Sequence, residues 1–424
     1  MKKNYLELAN TVLTSILTEE IPFRLAVKNY LTGDKIEKEE RKIIISLLGA
    51  ELRHHLSFVN VLRKEFGDKE IQLFVPLLLL LSNHTYLKKI DEKEMLDYTM
   101  SVLSFETEEK QIENLLEKYV DSQSLLADTR PGSLEYLSLR FNTPGWLIKM
   151  WTKHFGRNET FKILKANVRQ PASYLRINPL KANREAILNK YETYSPSSLE
   201  DVVIYVDKKP FKFNEDFKAF KLISTSLGIK HVVDQIDIDS LDKVAIYQDS
   251  PNSNLFVEVL LKANKQAKID VAFTSPIDYQ LVKDKMDEYS SLGDAKYFNI
   301  SQGQLITVIS EPVRKLFILS QSSNYQDIRT APDYMIHFDQ NKLDEYIAKE
   351  KANLDEAVEL VDNGGDLIYM VTTLNNKEGK NLIKDFLDEH SEFTLVKEEQ
   401  LLPFGEFECA LYYAIMHKEA SNGD

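Results

Sequence analysis

Apolar residues recur at intervals of three and four positions from residue 5 to about residue 125. This spacing places apolar side chains on one face of an α-helix. The first predicted helix is marked by Leu6, Ala9, Val12, Leu13, Ile16 and Leu17. A polar joint containing proline and glycine, residues 128–133, follows the helical part and is typical of a domain boundary. The pattern therefore predicts an all-α domain over residues 1–127.

The next segment, residues 134–240, combines helical and strand-like patterns. Two helical stretches lead to a turn at residues 170–173, and a strand is predicted at residues 174–178. Residues 137–190 contain eleven Lys and Arg but only two acidic residues, a net charge of +9, whereas the whole chain carries −13. This asymmetry predicts a small basic α+β domain with a face for a polyanion such as RNA. A solvated basic face without a partner is the alternative.

From about residue 200, short apolar runs alternate with helical patterns. The predicted strands are residues 202–206, 244–247, 269–273, 296–300, 305–309, 316–319, 367–371 and 407–416. An acidic helix over residues 339–362 is expected to cover the sheet and to end at a glycine cap, Gly364-Gly365. Strands that alternate with helices predict a mostly parallel sheet covered on both faces. Residues 241–424 are therefore predicted to form an α/β domain.

The composition narrows the class of protein. Hydrophobic residues make up 43% of the 424-residue chain, which excludes a chain that is disordered throughout. The single cysteine, Cys409, excludes a disulfide framework and a thiolate metal site. The longest apolar run, residues 74–81, is too short to span a membrane, and the N-terminus has an acidic residue before any apolar stretch, unlike a signal peptide. We expect a cytoplasmic protein without metal or membrane binding.

Sequence templates for catalysis are not met. There is no P-loop, no G-x-G-x-x-G after a predicted strand and no G-x-S-x-G, and the eight histidines do not fall at metal-ligand spacing. Cys409 lies in an alternating late run, where a lone cysteine is most often a small core residue. The residues alone indicate an RNA- or polyanion-binding α/β protein without a visible catalytic centre.

Three consecutive motifs indicate a family. Residues 142–147 read NTPGWL, residues 167–171 read NVRQP and residues 174–178 read YLRIN. They resemble the P-x-W-L helix, the N-x-x-P-P turn and the L-R-x-N strand of the Sun/Fmu family of bacterial 16S ribosomal RNA cytosine-C5 methyltransferases. The resemblance extends over nearly the whole chain. It implies a NusB-like RNA-binding N-terminal domain and a Rossmann-like domain that uses S-adenosylmethionine, entered at Gln248-Asp249-Ser250 with Ser253.

The resemblance also implies which reactive groups are missing. In this family a thiolate adds to C6 of cytosine, and a second cysteine helps to release the product. The two cysteine positions are occupied here by Thr373 and Ser322. Hydroxyls without an activating base are far poorer nucleophiles than a partly ionised thiol. We therefore predict no catalytic residue, and we interpret the chain as a degenerate member of the family.

The cofactor loop is expected to be eroded as well. The resemblance assigns it to Phe273, Thr274, Ser275 and Pro276, followed by Ile277 and Asp278 in place of two glycines. Side chains at these positions should fill space that glycines leave open to the cofactor. We therefore expect no cofactor. S-adenosylmethionine is the ligand if the site still functions.

Basic residues of the central segment are the candidate RNA contacts, and Arg169 and Arg176 have the strongest case because they flank the predicted turn. The full set is Arg140, Lys149, Lys153, Arg157, Lys165, Arg169, Arg176 and Lys181. Trp146 and Trp151 could stack on bases or pack in the core.

The leading hypothesis is a scaffold that binds 16S ribosomal RNA or the small ribosomal subunit. One alternative is an active methyltransferase with an altered site. The other is a protein-interaction module whose partner docks on the acidic surface.

Overall fold

The computed structural model describes residues 5–32, 36–169, 171–239, 241–250, 254–263, 267–292, 297–309, 311–323, 327–329 and 331–420. Gln170, Ser253 and Lys296, which belong to predicted motifs or strands, lie outside the described residues. The chain forms two compact units. The first contains Met1–Gln170 and Asp327–Phe338, and the second contains Pro171–Gln326 and Asp339–Asp424. No described helix has the length and apolar character needed to cross a membrane.

The first unit is helical, as the apolar spacing predicts. Its helices are α1 Tyr5–Thr18, α2 Phe23–Leu31, α3 Lys38–Phe66, α4 Ile71–Ser82, α5 Glu92–Val102, α6 Glu109–Lys118, α7 Leu134–Arg140 and α8 Gly145–Asn167. The predicted stripe of α1 is fully buried except for the last residue, Leu17, which is 9% exposed. Helices α7 and α8 belong to this unit, although the polar joint precedes them. The boundaries at residues 127 and 134 remain a prediction.

One asparagine connects the turn between α7 and α8 to the long helix α3. The Asn142 side chain donates from Nδ2 to the Leu52 carbonyl at 2.8 Å, and its Oδ1 accepts from the Leu56 N–H at 2.9 Å. These two backbone groups pair with each other in an uninterrupted helix. Asn142 has a φ of 47°, a left-handed conformation that asparagine tolerates better than most residues. The motif residue is therefore a structural bridge.

The second unit begins with a small antiparallel sheet. Its strands are β1 Ser173–Ile177, β2 Tyr194–Pro196, β3 Val202–Tyr205 and β4 Leu222–Ser224, in the order β2-β3-β1-β4. Helices α9 Arg184–Leu188 and α10 Glu215–Lys218 accompany it, and α11 Leu227–Val233, which follows β4, packs against the larger sheet of this unit. A small core that includes Leu175, Tyr194, Val203 and Leu222 lies under this sheet.

The rest of the second unit is a seven-stranded sheet with helices. Its strands are β5 Lys243–Gln248, β6 Lys268–Phe273, β7 Tyr297–Gln302, β8 Val313–Ser320, β9 Val361–Val371, β10 Phe393–Leu401 and β11 Leu411–Lys418. Its helices are α12 Leu255–Lys262, α13 Pro276–Lys283, α14 Met286–Ser290, α15 Leu305–Val308, α16 Gln340–Leu360 and α17 Lys380–Glu389. Strands β5 to β9 pair in parallel, and β10 and β11 are antiparallel. The mostly parallel sheet is confirmed.

Two local predictions, for residues 305–309 and for residues 364–365, are wrong. Residues 305–308 form the short helix α15 instead of a strand, so a run of β-branched residues did not determine the secondary structure. Helix α16 passes directly into β9 at Val361, and Gly364 and Gly365 lie inside that strand. A Cβ on Gly365 would stand 2.8 Å from the Arg314 carbonyl oxygen of β8. The glycines therefore permit close strand contact at a register shift, and they are not a helix cap.

The strand order identifies one special edge of the large sheet. The order is β10-β11-β9-β8-β5-β6-β7, so the chain runs outward from β5 to β7 and then returns to place β8 on the other side of β5. In open α/β sheets, ligands bind beyond the carboxyl ends of the strands where the order reverses. In this chain the reversal lies between β5 and β8.

Candidate nucleic-acid interface and donor site

A groove in the first unit carries basic and aromatic side chains. It has a volume of about 750 Å³ and is lined by Arg140, Lys165 and Arg169 together with Tyr136 and Phe141. Among the described lining residues of this groove there is no acidic side chain. The Arg140 guanidinium lies 5.5 Å from the centre of the Phe141 ring, and it also donates to the Tyr136 hydroxyl. An electropositive groove with aromatic walls suits single-stranded nucleic acid.

A second, smaller cavity shares residues with this groove. It has a volume of about 100 Å³, and its lining includes Arg53, His54, Phe141, Asn167 and Arg169. Its other described lining residues are Asn142, Val168, Ile328, Arg329 and Pro332. Here too the described lining contains cations and amides but no carboxylate. Both spaces therefore favour an anionic or polar ligand.

The histidine shared by the two spaces is uncharged at neutral pH. The ring of His54 stacks on Tyr86 with centroids 3.7 Å apart and an angle of 7°. Burial lowers the pKa of His54 to about 4, and the nearby Arg53 charge acts in the same direction. His54 therefore contributes a neutral, flat ring to the wall and no positive charge.

The other predicted RNA contacts of the first unit lie on α8. Lys149, Lys153 and Arg157 are exposed, and the Arg157 guanidinium donates to the Gly132 carbonyl at 3.3 Å. Trp151 is fully buried and is a core residue, whereas Trp146 is 44% exposed. The structure thus separates two tryptophans that the sequence left equivalent.

The remaining two candidates, Arg176 and Lys181, lie in the second unit and are engaged in ion pairs. The Arg176 guanidinium is 2.5 Å from Asp201 and 3.5 Å from Glu258, and its side chain is only 13% exposed. Lys181 lies 3.7 Å from Glu288 and over the Phe220 ring. The Arg176 charge therefore faces two carboxylates of its own unit, and a contact between Arg176 and RNA stays a prediction.

The loop after β5 closes onto its neighbour at the topological reversal. The backbone N–H groups of Asp249 and Ser250 both donate to the Leu319 carbonyl at 3.0 Å. The Asp249 carboxylate is buried and accepts from Lys349 Nζ at 2.7 Å. In doubly wound folds, backbone N–H groups of the loop at this position bind ligands. Here the N–H groups of Asp249 and Ser250 are instead occupied by hydrogen bonds within the protein.

The expected cofactor loop, residues 273–276, follows β6 and so lies one strand away from the reversal between β5 and β8. Phe273 is a fully buried core residue at the end of β6, and Thr274, Ser275 and Pro276 form the turn into α13. Ser275 is the N-cap of α13, and Thr274 donates to the Asp249 carbonyl at 3.3 Å. Ile277 is 73% exposed and fills no pocket. These residues follow β6, the second strand of the large sheet in chain order, and their role in binding a cofactor stays a prediction.

The two hydroxyls at the predicted cysteine positions are buried and hydrogen-bonded. Ser322 is 1% exposed and donates to the Thr372 carbonyl at 2.8 Å. Thr373 is 0% exposed and donates to Glu378 Oε2 at 2.7 Å. Glu378 also accepts from the backbone N–H and the hydroxyl of Ser323, at 2.6 Å each. Neither hydroxyl is presented to a substrate in this structure.

A second buried acid stands beside this cluster. Glu350 of α16 is 1% exposed, and among the described residues neither carboxyl oxygen has a hydrogen-bond partner. Burial raises the pKa of Glu350 to about 10, and the charges of Glu378 and Asp249 act in the same direction. Burial likewise raises the pKa of Glu378. At this edge of the sheet, the charges of Glu378 and Asp249 are therefore close enough to raise the pKa of Glu350.

The single cysteine does not lie in a strand as predicted. Cys409 precedes β11, is half-buried, and has its sulfur 3.7 Å from the Ser226 hydroxyl. One described set of residues, Asp355, Glu389 and His390, has the spacing of a metal site. Two of the three are exposed, and Glu389 is paired with Lys351 at 2.5 Å. This set is explained by surface ion pairing.

The doubly wound order with two antiparallel edge strands defines a Rossmann-like methyltransferase fold. In agreement, a crystal structure of PH0851 aligns with a TM-score of 0.70 and 16% identity, over 99% of this chain and 100% of that chain. A methyltransferase homologue from Pyrococcus horikoshii aligns with a TM-score of 0.55 and 11% identity, over 68% of this chain and 100% of that one.

Sequence comparisons find similarity to ribosomal RNA methyltransferases. Residues 143–195 match the model of the RsmF/B-like methyltransferase ferredoxin-like domain. The chain is 20% identical to the "Probable ribosomal RNA small subunit methyltransferase B" of Bacillus subtilis (strain 168). The alignment extends over 416 residues and covers 93% of this chain and 90% of that protein. The resemblance to the Sun/Fmu family of ribosomal RNA methyltransferases, indicated by the motifs of residues 142–178, is confirmed.

Sequence reasoning missed two features of these sites. Asn167 was noted only as the first letter of a motif, and Glu350 only as part of an acidic surface helix. A weak signal existed for Glu350, because it lies four residues before Leu354 and seven before Ala357 on the apolar face of α16.

Proposed function

We propose that this protein binds RNA, specifically small-subunit ribosomal RNA, in the cytoplasm, and that it no longer methylates cytosine. In this proposal the first unit, with its NusB-like helical domain of residues 1–127, supplies the main RNA surface. The small basic domain of residues 134–240 and the methyltransferase-like domain of residues 241–424 complete a three-domain scaffold.

The observation that carries the proposal is the acid-free groove of the first unit. Three cations line it, and its aromatic rings can stack on unpaired bases. RNA phosphates are neutralised by lysine and arginine, and the release of their counterions supplies binding free energy that falls with salt. The Bacillus subtilis relative, named as a probable ribosomal RNA small subunit methyltransferase, supports RNA as the polyanion.

The loss of catalysis is supported by the other unit. The positions of the family's cysteines carry hydroxyls that are buried and donate to fixed acceptors. At the strand reversal, the N–H groups of Asp249 and Ser250 are used within the protein. A buried hydroxyl cannot attack C6 of a cytosine, and these two N–H groups are not available to hold a methyl donor.

Arg169 tests the RNA-binding part. Arg169→Glu should weaken binding of a single-stranded ribosomal RNA fragment about tenfold at 100 mM salt, because one phosphate contact becomes repulsive. The slope of log affinity against log salt should become shallower by roughly 0.7. Fluorescence anisotropy with a labelled fragment measures both quantities.

The matched control is Lys28→Glu on the exposed side of α2, which changes the net charge equally. Its affinity should stay within about twofold of the unchanged protein. Equal affinities for Arg169→Glu and the unchanged protein would remove the groove from the RNA surface. An affinity independent of salt would instead favour the protein-interaction alternative.

Calorimetric titration with S-adenosylmethionine tests the loss of catalysis. We expect no binding heat with the donor at millimolar concentration, and no transfer of labelled methyl groups to ribosomal RNA above a protein-free blank. One-to-one binding together with methyl transfer would establish the active methyltransferase. The Cys409→Ala variant would then show whether the remaining thiol takes part.

A further inference from the structure

Asn167, at the end of α8, is one of the residues that line the small cavity of the first unit. It is 5% exposed, and among the described residues neither its Nδ2 nor its Oδ1 has a hydrogen-bond partner. Leaving a buried polar group unsatisfied costs about 1–3 kcal/mol, so such groups usually have a partner in the working state.

The chemistry of the cavity is that of a base-binding pocket. An asparagine amide offers one acceptor and one donor side by side, which matches the edge of a nucleobase. A water molecule occupies about 10–15 Å³ of such space, so a cavity of about 100 Å³ accepts a planar ring system. Phe141 and His54 supply ring walls, while Arg53 and Arg169 supply positive charge.

We infer that Asn167 reads the edge of one unpaired RNA base held in this cavity. The inference rests on the proposed RNA binding and adds a specificity-determining residue to it. Unpaired RNA bases are recognised when they leave the stack, pack against aromatic rings and hydrogen-bond through their edges. The groove beside the cavity shares His54, Phe141, Val168 and Arg169 with it, so a strand in the groove can place one base in the cavity.

Five RNA decamers test the inference. In four of them A, C, G or U alternates with abasic nucleotides, and the fifth is fully abasic. The unchanged protein should bind one of the four at least about tenfold more tightly than the other three. Asn167→Ala should abolish this preference, bringing the affinities for the four base-containing decamers within about twofold of one another, while its affinity for the abasic decamer stays unchanged.

Asn158→Ala, at an exposed asparagine of the same helix, is the control and should keep the preference. The melting temperature of Asn167→Ala should not fall, because the replaced amide has no described partner in the protein. A fall in melting temperature with an unchanged base preference would assign Asn167 to a structural water and overturn the inference. Equal binding of the four base-containing decamers by the unchanged protein would overturn it while leaving RNA binding intact, and binding of no decamer would overturn the proposed function itself.

Discussion

Glu350→Gln should stabilise the second unit at neutral pH and flatten the pH dependence of its stability. The folded protein holds the Glu350 proton up to a pKa of about 10, whereas the unfolded chain releases it above 4.5. The free energy of unfolding therefore decreases as the pH rises above 4.5, by up to about 1.4 kcal/mol per pH unit. Glutamine carries no ionisable proton and escapes this loss, so we expect a gain of roughly 2–4 kcal/mol at pH 7.5.

Urea unfolding of both proteins at pH 5, 6, 7 and 8 measures this effect. The difference between the variant and the unchanged protein should be small at pH 5 and should grow at each step. Glu345→Gln, at an exposed position of the same helix α16, should show no such growth. Parallel curves for Glu350→Gln and the unchanged protein would mean that Glu350 is solvated or paired when the protein is in solution.

Arg176→Ala should destabilise the second unit by roughly 3 kcal/mol at pH 7. The guanidinium compensates Glu258, which is 3% exposed and also accepts from the Thr225 hydroxyl at 2.5 Å. Burial raises the pKa of Glu258, and Arg176 opposes that shift. Without the cation the carboxylate is left buried and charged, so the loss should be larger at pH 8 than at pH 5, where Glu258 can take up a proton.

Arg176→Lys retains the positive charge and should recover part of the lost stability, although it cannot reach both carboxylates in the same way. The affinity of the folded Arg176→Ala protein for RNA should match that of the unchanged protein. A stable Arg176→Ala protein with weakened RNA binding would restore Arg176 to the RNA contacts and contradict the ion-pair interpretation.

Local patterns were sufficient for most of the fold. The apolar stripe of α1 and the apolar runs that predict β5, β6 and β8 are formed by residues close together in the chain. They can therefore be recognised from the sequence alone. The prediction failed at α15, where β-branched residues adopted a helix, and at β9, where glycines serve close strand packing. In both places the outcome depends on contacts with distant residues.

The candidate sites show the same limit. The positive charges of Arg140, Lys165 and Arg169 were visible in the sequence, and they converge on one groove. The neutralisation of Arg176 was not visible, because its two carboxylates lie 25 and 82 positions further along the chain. The resemblance assigned the cofactor loop to residues 273–276, whereas the strand order places these residues after the second strand of the large sheet.

The bridge made by Asn142 bears on how the chain can be divided for experiments. A fragment that ends at residue 127 would retain α3 but lose the amide that bonds to both Leu52 and Leu56. These two backbone groups would lose their side-chain partner in the isolated piece. A fragment that keeps residues 5–169 preserves the bridge, so binding data from the shorter piece would describe a helix without this anchor.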